Sequence, residues 1–265
     1  MTAIDTYASG RPRTQIWAGA LTGLRNFARK DLAEWFRTKR AFWTTFAAVV
    51  LIVLGVLAEK IHALVEPKAQ INWDPSFNML NAGWETMLPI FAVFTTMGLL
   101  TGERDARTLA WSLSMPLGRA SVLLSKLLTG MIGLFVCALV IPDAVGVAVV
   151  RLAYNGFPNA QSIVWPALSG AAVALFLIVL NLFMSVIQRS QRAVTAVALV
   201  VGMIVPGLVA SFWPKAQPWW PISMGDWVGN YGAGRPLESI TPVVWIAAIV
   251  VLAAATCWRF GREEL

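Results

Sequence analysis

Few residues of this 265-residue chain are placed to do chemistry. Asp143, directly after Pro142, is the one acid inside a long apolar run, where a carboxylate marks a substrate or ion path. The competing reading is an Asp that is protonated or paired and satisfies carbonyl groups freed by Pro142. Asn181, in another apolar run, is either its partner or a donor between helices. The second candidate is the charge-dense stretch ERDARTLAWSLSMPLGR at 103–119. In it Ala106, Leu109, Ala110 and Leu113 follow i, i+3, i+4, i+7, while Arg104, Asp105, Arg107, Thr108 and Ser112 form the polar face. Pro116 ends this short helix, Leu117 and Gly118 turn the chain, and Ser121 is the expected N-cap of the next helix.

Enzyme chemistry finds little support. A single histidine, His62, excludes a His-rich metal cage and an H-E-x-x-H site. The GAG at 232–234 lacks a third glycine and a following helix, no G-x-S-x-G elbow occurs, and no G-x-x-x-x-G-K-[ST] run can cradle a nucleotide. Asp143 alone cannot supply the two carboxylates of an intramembrane aspartyl protease. Cys137 and Cys257 sit in separate apolar runs and read as packing residues.

The elements that position these candidates are membrane helices. With 57% hydrophobic residues, 13% charged, 13 Trp and a mean hydropathy of +0.65, the chain is an all-α, polytopic membrane protein. A bilayer core of about 30 Å needs roughly 20 apolar residues, which predicts six spans near 41–58, 86–101, 127–150, 163–187, 193–213 and 242–258. Sixteen of the 21 basic residues then fall on the side of the N-terminus, leaving only Lys60, Lys68, Arg151, Lys215 and Arg235 opposite. That bias places both termini in the cytoplasm and accounts for the +7 net charge without nucleic acid. No short hydrophobic core with a cleavage site precedes the first span, so no signal peptide is expected.

From Gln15 to Arg40, Trp17, Leu21, Leu24, Ala28, Leu32 and Trp35 recur every three or four residues among Arg25, Arg29, Lys30, Glu34 and Arg37. This predicts an interfacial amphipathic helix with its bases near lipid phosphates. The domains are therefore 1–40, a cytoplasmic tail with this helix, and 41–265, the six-span domain. Between spans, 59–85 allows one short helix around Ile61 to Val65, and 214–241 carries Trp219, Trp220, Trp227 and Tyr231 as an outer aromatic anchor.

The 103–119 stretch resembles the permease subunits of type-2 ABC exporters. Their second intracellular segment runs Glu-Arg, Thr-Leu, Leu-Ser, Pro and Arg, with a Lys opening the next span. Those places are taken here by Glu103, Arg104, Thr108, Leu109, Leu113, Ser114, Pro116, Arg119 and Lys126. Arg107 stands where the family pattern usually has Gly. The resemblance covers essentially the whole chain.

It implies a cytoplasmic coupling helix, formed by Glu103, Arg104, Arg107, Thr108, Leu109, Leu113, Pro116 and Arg119, that docks on a separately encoded ABC ATPase. ATP and Mg belong to that partner, and this chain carries no cofactor of its own. A second permease copy or paralogue and membrane lipid complete the expected partners, in a bacterial inner (plasma) membrane. Glu103 is expected to pair with bases of the N-terminal helix, Arg37 or Arg40. Two other readings remain: a force-transmitting or assembly component that moves no substrate, and an ATPase-independent secondary transporter. The latter usually needs several buried ionisable groups, and only Asp143 is on offer.

Overall fold

The computed structural model describes residues 24–65, 88–105, 119–154, 160–188, 190–232, 234–235 and 237–262. Among them there is no strand. Helix α1 (Leu24–Arg37) is followed after one residue by α2 (Lys39–Val65). The break falls at Thr38, whose hydroxyl donates to Trp35 O at 2.7 Å while its N–H is shared between Glu34 O and Trp35 O. Side-chain bonding back onto the last turn lets α1 stop and α2 leave in a new direction. Helix α2 runs on to Val65, so residues 61–65 extend a span and do not form a separate loop helix.

Helix α3 (88–96) passes through a turn at 97–100 into α4 (Thr101–Asp105). Helix α5 (Arg119–Leu134), a π-helical turn (Phe135–Val140) and α6 (Ile141–Tyr154) form one continuous rod. It begins at Arg119, so Ser121 lies inside the first turn and not at the cap. Helix α7 (Ala160–Ile187) is next in the chain. Then come α8 (Gln191–Leu199), a second π-helical turn (Val200–Ile204) and α9 (Val205–Phe212). Two 3-10 turns (Pro214–Trp219 and Pro221–Ser223) lead to α10 (Met224–Gly232), and α11 (Ile240–Gly261) closes the order.

Five helical stretches among the described residues have the length and apolar composition of membrane spans: Ala41–Ala58, Ala120–Leu152, Ile163–Ile187, Gln191–Phe212 and Ile240–Gly261. Each overlaps an expected span. The remaining one, near 86–101, is represented by α3 and the turn after it, which are too short to count by themselves.

The two π-helical turns have one cause. Each is followed one residue later by a proline, Pro142 or Pro206, whose ring would clash with the carbonyl four residues back. In each the preceding N–H reaches five residues back, Ile141 to Val136 O and Val205 to Val200 O, which widens the helix where the ring needs room.

Helix α7 is the centre of the bundle. In its most apolar 18-residue stretch 67% of the residues are buried, against 11% in that of α11, and it packs against α5, α10 and α11. Leu177 and Ile178 are fully enclosed, and Gly130 of α5 lets Thr96, Leu99 and Ile178 approach the α5 backbone. The peripheral helices keep apolar rows facing outward, such as Leu51, Leu54 and Leu57 on α2 and Val243, Ile246 and Val250 on α11. Lipid-facing rows of a membrane bundle have this composition.

Helix α1 packs against α5 through Phe27, Asp31 and Trp35, spaced by four residues, with Leu24, Ala28 and Leu32 half-buried beside them. The buried face is thus offset from the expected Trp17-to-Trp35 stripe, and it includes an acid. The Trp35 indole lies where a Cβ on Gly133 would be. Gly133→Val is therefore expected to unseat Trp35 and destabilise the protein by about 1–3 kcal/mol. Thermal unfolding in detergent checks this, and Trp35→Ala in the same chain should recover part of the loss.

Candidate functional site

The described residues contain one buried cluster of charge, where α1, α4 and α5 meet. Lys126, in the second turn of α5, lies 2.5 Å from Glu103 Oε1 and 3.1 Å from Asp31 Oδ1. Ser125 donates to Asp31 Oδ2 at 2.9 Å, and the Lys126 ammonium also sits 5.5 Å above the Phe27 ring. The side chains of Lys126 and Asp31 are 6% and 3% exposed, and that of Glu103 15%. At such burial each charge needs its partners, because water no longer compensates it.

The local sequence makes this possible. Asp31 sits on the buried face of α1 one turn from both Phe27 and Trp35, so burying the rings buries the acid. Glu103 and Lys126 lie on the two stems of the chain that flank 106–118, and their bond ties those stems together. Arg104 anchors the same stem to a third element, donating to Ser185 O in the last turn of α7 at 2.6 Å. That carbonyl is one of those a helix end leaves unpaired.

A polar thread continues into the bundle. Ser185 donates to Asn181 O at 2.6 Å, and the Asn181 amide donates to Thr96 Oγ1 at 2.7 Å and to Val93 O at 3.3 Å. Thr96 in turn donates to Ala92 O at 2.5 Å. Alongside it, Thr195 of α8 donates to the Met97 sulfur at 2.8 Å. The segment 88–104 is thus held along its length by side chains of α5, α7 and α8.

Of the residues singled out from sequence, Glu103 and Arg104 stand in this cluster. Arg119 opens α5, but its side chain lies outside the described residues, as do Arg107, Thr108, Leu109, Leu113 and Pro116 entirely. Glu103 binds Lys126; Arg37 of the expected pair is exposed, and the side chain of Arg40, the other expected base, lies outside the described residues. From α1 the cluster receives an acid, Asp31. Asn181 bonds to α3, not to Asp143. Asp143 is buried in the first turn of α6, just past the first π-helical turn. Sequence reasoning passes over Asp31, although a lone acid between Phe27 and Trp35 at four-residue spacing is a usable signal.

At the other end, α10 is docked on α7 through two glycines. Ser169 donates to Gly225 O at 2.8 Å, and a Cβ on Gly232 would overlap Trp165. Tyr231 stacks on Trp227 and meets Trp165 edge-on, while the Trp227 indole donates to Glu238 O at 2.8 Å. Asp226 accepts from the Gln217 amide at 2.9 Å. Burial pushes its carboxyl above the ordinary 3.8, and the Gln217 bond offsets part of that rise.

No group of three metal-ligating side chains occurs among the described residues. In comparisons with known proteins, residues 25–218 match the family described as ABC-2 family transporter protein. No curated protein matches the chain.

The charge cluster and Asp226 each have a measurable consequence. Lys126→Met leaves two buried carboxylates without their cation and should cost about 3–5 kcal/mol. The triple change Asp31→Asn, Glu103→Gln, Lys126→Met should recover most of that loss in thermal unfolding, and a triple less stable than Lys126→Met would contradict the arrangement. For Asp226, the unfolded chain releases its proton near 3.8 and the folded chain only at higher pH. Stability therefore falls as pH rises between the two values. Asp226→Asn should melt with the wild type below 3.8 and above it at neutral pH. An equal melting difference at both would count against the shift.

Proposed function

The chain belongs to the ABC-2 transporter family and is a membrane-spanning ABC permease. From that premise we propose that it couples ATP hydrolysis by a separate ATPase subunit to export of a substrate across a bacterial inner membrane. The observation that carries this reading is the tie between Glu103 and Lys126, braced by Asp31 and Arg104. A segment that receives a push from a partner needs stems that move as one body, since a stroke absorbed by loose ends goes no further. The cluster gives the segment 106–118 such a base.

In this proposal the segment 106–118, with Thr108, Leu109, Leu113 and Pro116, docks on the ATPase, which holds ATP and Mg. Displacement passes through Glu103 and Lys126 into two routes. One runs along the 88–104 segment, whose bonds to Asn181 and Ser185 engage α7. The other runs up the rod from Arg119 to Tyr154, where the π-helical turn at Phe135–Val140 is the compliant point. Asp143 stands directly beyond that turn, in a place to meet a substrate when the helix adjusts. Both termini lie in the cytoplasm, and a second permease copy completes the pathway.

Co-expression with an ATPase subunit tests the reading. Leu109→Asp with Leu113→Asp should abolish co-purification of the ATPase. Glu103→Gln should keep the complex but lower transport per ATP hydrolysed in liposomes, on the order of tenfold. Asp143→Asn should leave ATPase binding intact and reduce transport alone. Undiminished ATPase recovery with the Leu109 and Leu113 pair would overturn the docking assignment.

A further inference from the structure

We infer that the outward face of α1 is a binding surface for anionic phospholipid headgroups. An amphipathic helix that lies on a membrane by its apolar face leaves that face to lipid. In α1 the apolar face is spent on protein, since Phe27 and Trp35 are buried against α5. What points away is a different surface. At about 100° per residue, Arg25, Arg29, Ala33, Phe36 and Arg37 occupy the half of the helix opposite Phe27, Asp31 and Trp35, and all five are exposed.

The charge of that half is one-sided. Asp31, one of the two acids of α1, is withdrawn into the ion cluster, which leaves Glu34 as the acid on the exposed surface. Burial of Asp31 thus has two effects: it holds Lys126, and it leaves the outward face basic. A face bearing three arginines attracts phosphate and repels cations, and guanidinium forks fit phosphodiester oxygens in pairs.

The neighbouring chain identifies the phosphate as lipid. Phe36 is 46% exposed among the arginines, and Phe42, Trp43 and Phe46 follow at the start of α2, 64%, 60% and 50% exposed, with Phe42 stacked on Phe46 and Trp43 edge-on to both. Exposed aromatic rings beside bases at the end of an apolar span are the composition of a headgroup boundary. A soluble phosphate ligand would call for an enclosed pocket, whereas this is the exposed side of a helix that the chain follows with a lipid-facing span. Headgroup binding here would also steady the helix whose other side supplies Asp31.

The test uses the full chain purified in neutral detergent, titrated with dioleoylphosphatidylglycerol or dioleoylphosphatidylcholine and read by native mass spectrometry and thermal shift. Wild type should prefer phosphatidylglycerol, and glycerol phosphate at equal concentration should not displace it. The variant Arg25→Gln, Arg29→Gln, Arg37→Gln should lose that preference, with affinity lower on the order of tenfold or more. Arg25→Lys, Arg29→Lys, Arg37→Lys should keep most of it, which separates charge from folding. Equal binding of the two lipids by wild type, or an unchanged preference in the Gln variant, would overturn the inference. None of these arginines lies in 106–118, so loss of ATPase recovery and loss of lipid binding are separable results.

Discussion

A lysine buried at the end of an apolar bundle is the constraint around which this protein is arranged. Lys126 cannot reach water in its observed position, so the fold has to bring carboxylates to it from elsewhere in the chain. One comes from α1, and the other from the stem that precedes 106–118. The energy of such a cluster is a poor measure of its value, because an apolar substitute of the same shape is often as stable. Its value lies in register. Apolar faces slide past one another at little cost, whereas three charges fix α1, α4 and α5 at one mutual setting.

The central helix α7 solves a related problem by smaller means. Spans in lipid gain little from hydrophobic contact with each other, so small residues and hydrogen bonds set their spacing. Asn181 stitches α7 to α3, Ser185 passes the connection to Arg104, and Ser169 with Gly225 and Gly232 draws α10 close. The long rods beside it are interrupted instead of tightened. Both π-helical turns sit just ahead of prolines: Gly202 of the second packs under Leu177 of α7, and the first packs against α2, with Leu139 lining a small cavity that Ala171 and Ala174 of α7 also line. A widened turn beside a rigid hub is where a rod bends without breaking contact.

Much of this is legible in the sequence because bilayer thickness acts on composition residue by residue. The five described spans overlap expected ones, and the helix break at Thr38 falls three residues before Ala41, where the first span is expected to begin. Pairing is what the sequence conceals. Charge type alone points Glu103 to the bases of the N-terminal helix, and does not announce that Lys126, 23 residues away on α5, also meets it. Asp31 hides among Arg and Lys neighbours that suggest a solvated face, and only the crossing of α1 over α5 decides which side is covered. Helical periodicity gives the faces of a helix; it does not say which partner each face will find.

The same crossing decides what kind of joint the cluster is. Had Trp35 alone held α1, the helix would be free to roll about Gly133 with its arginines sweeping across the headgroup layer. With Asp31 paired to Lys126 and accepting from Ser125, rolling separates a buried ion pair and leaves Lys126 buried short of one counter-charge, a cost of several kcal/mol. Motion of the 106–118 stems must then carry α1 along as a unit, or else break the cluster in a single step. A joint with those two options behaves as a two-position element and not as a spring. That is the property a coupling element needs if a stroke is to be passed on whole.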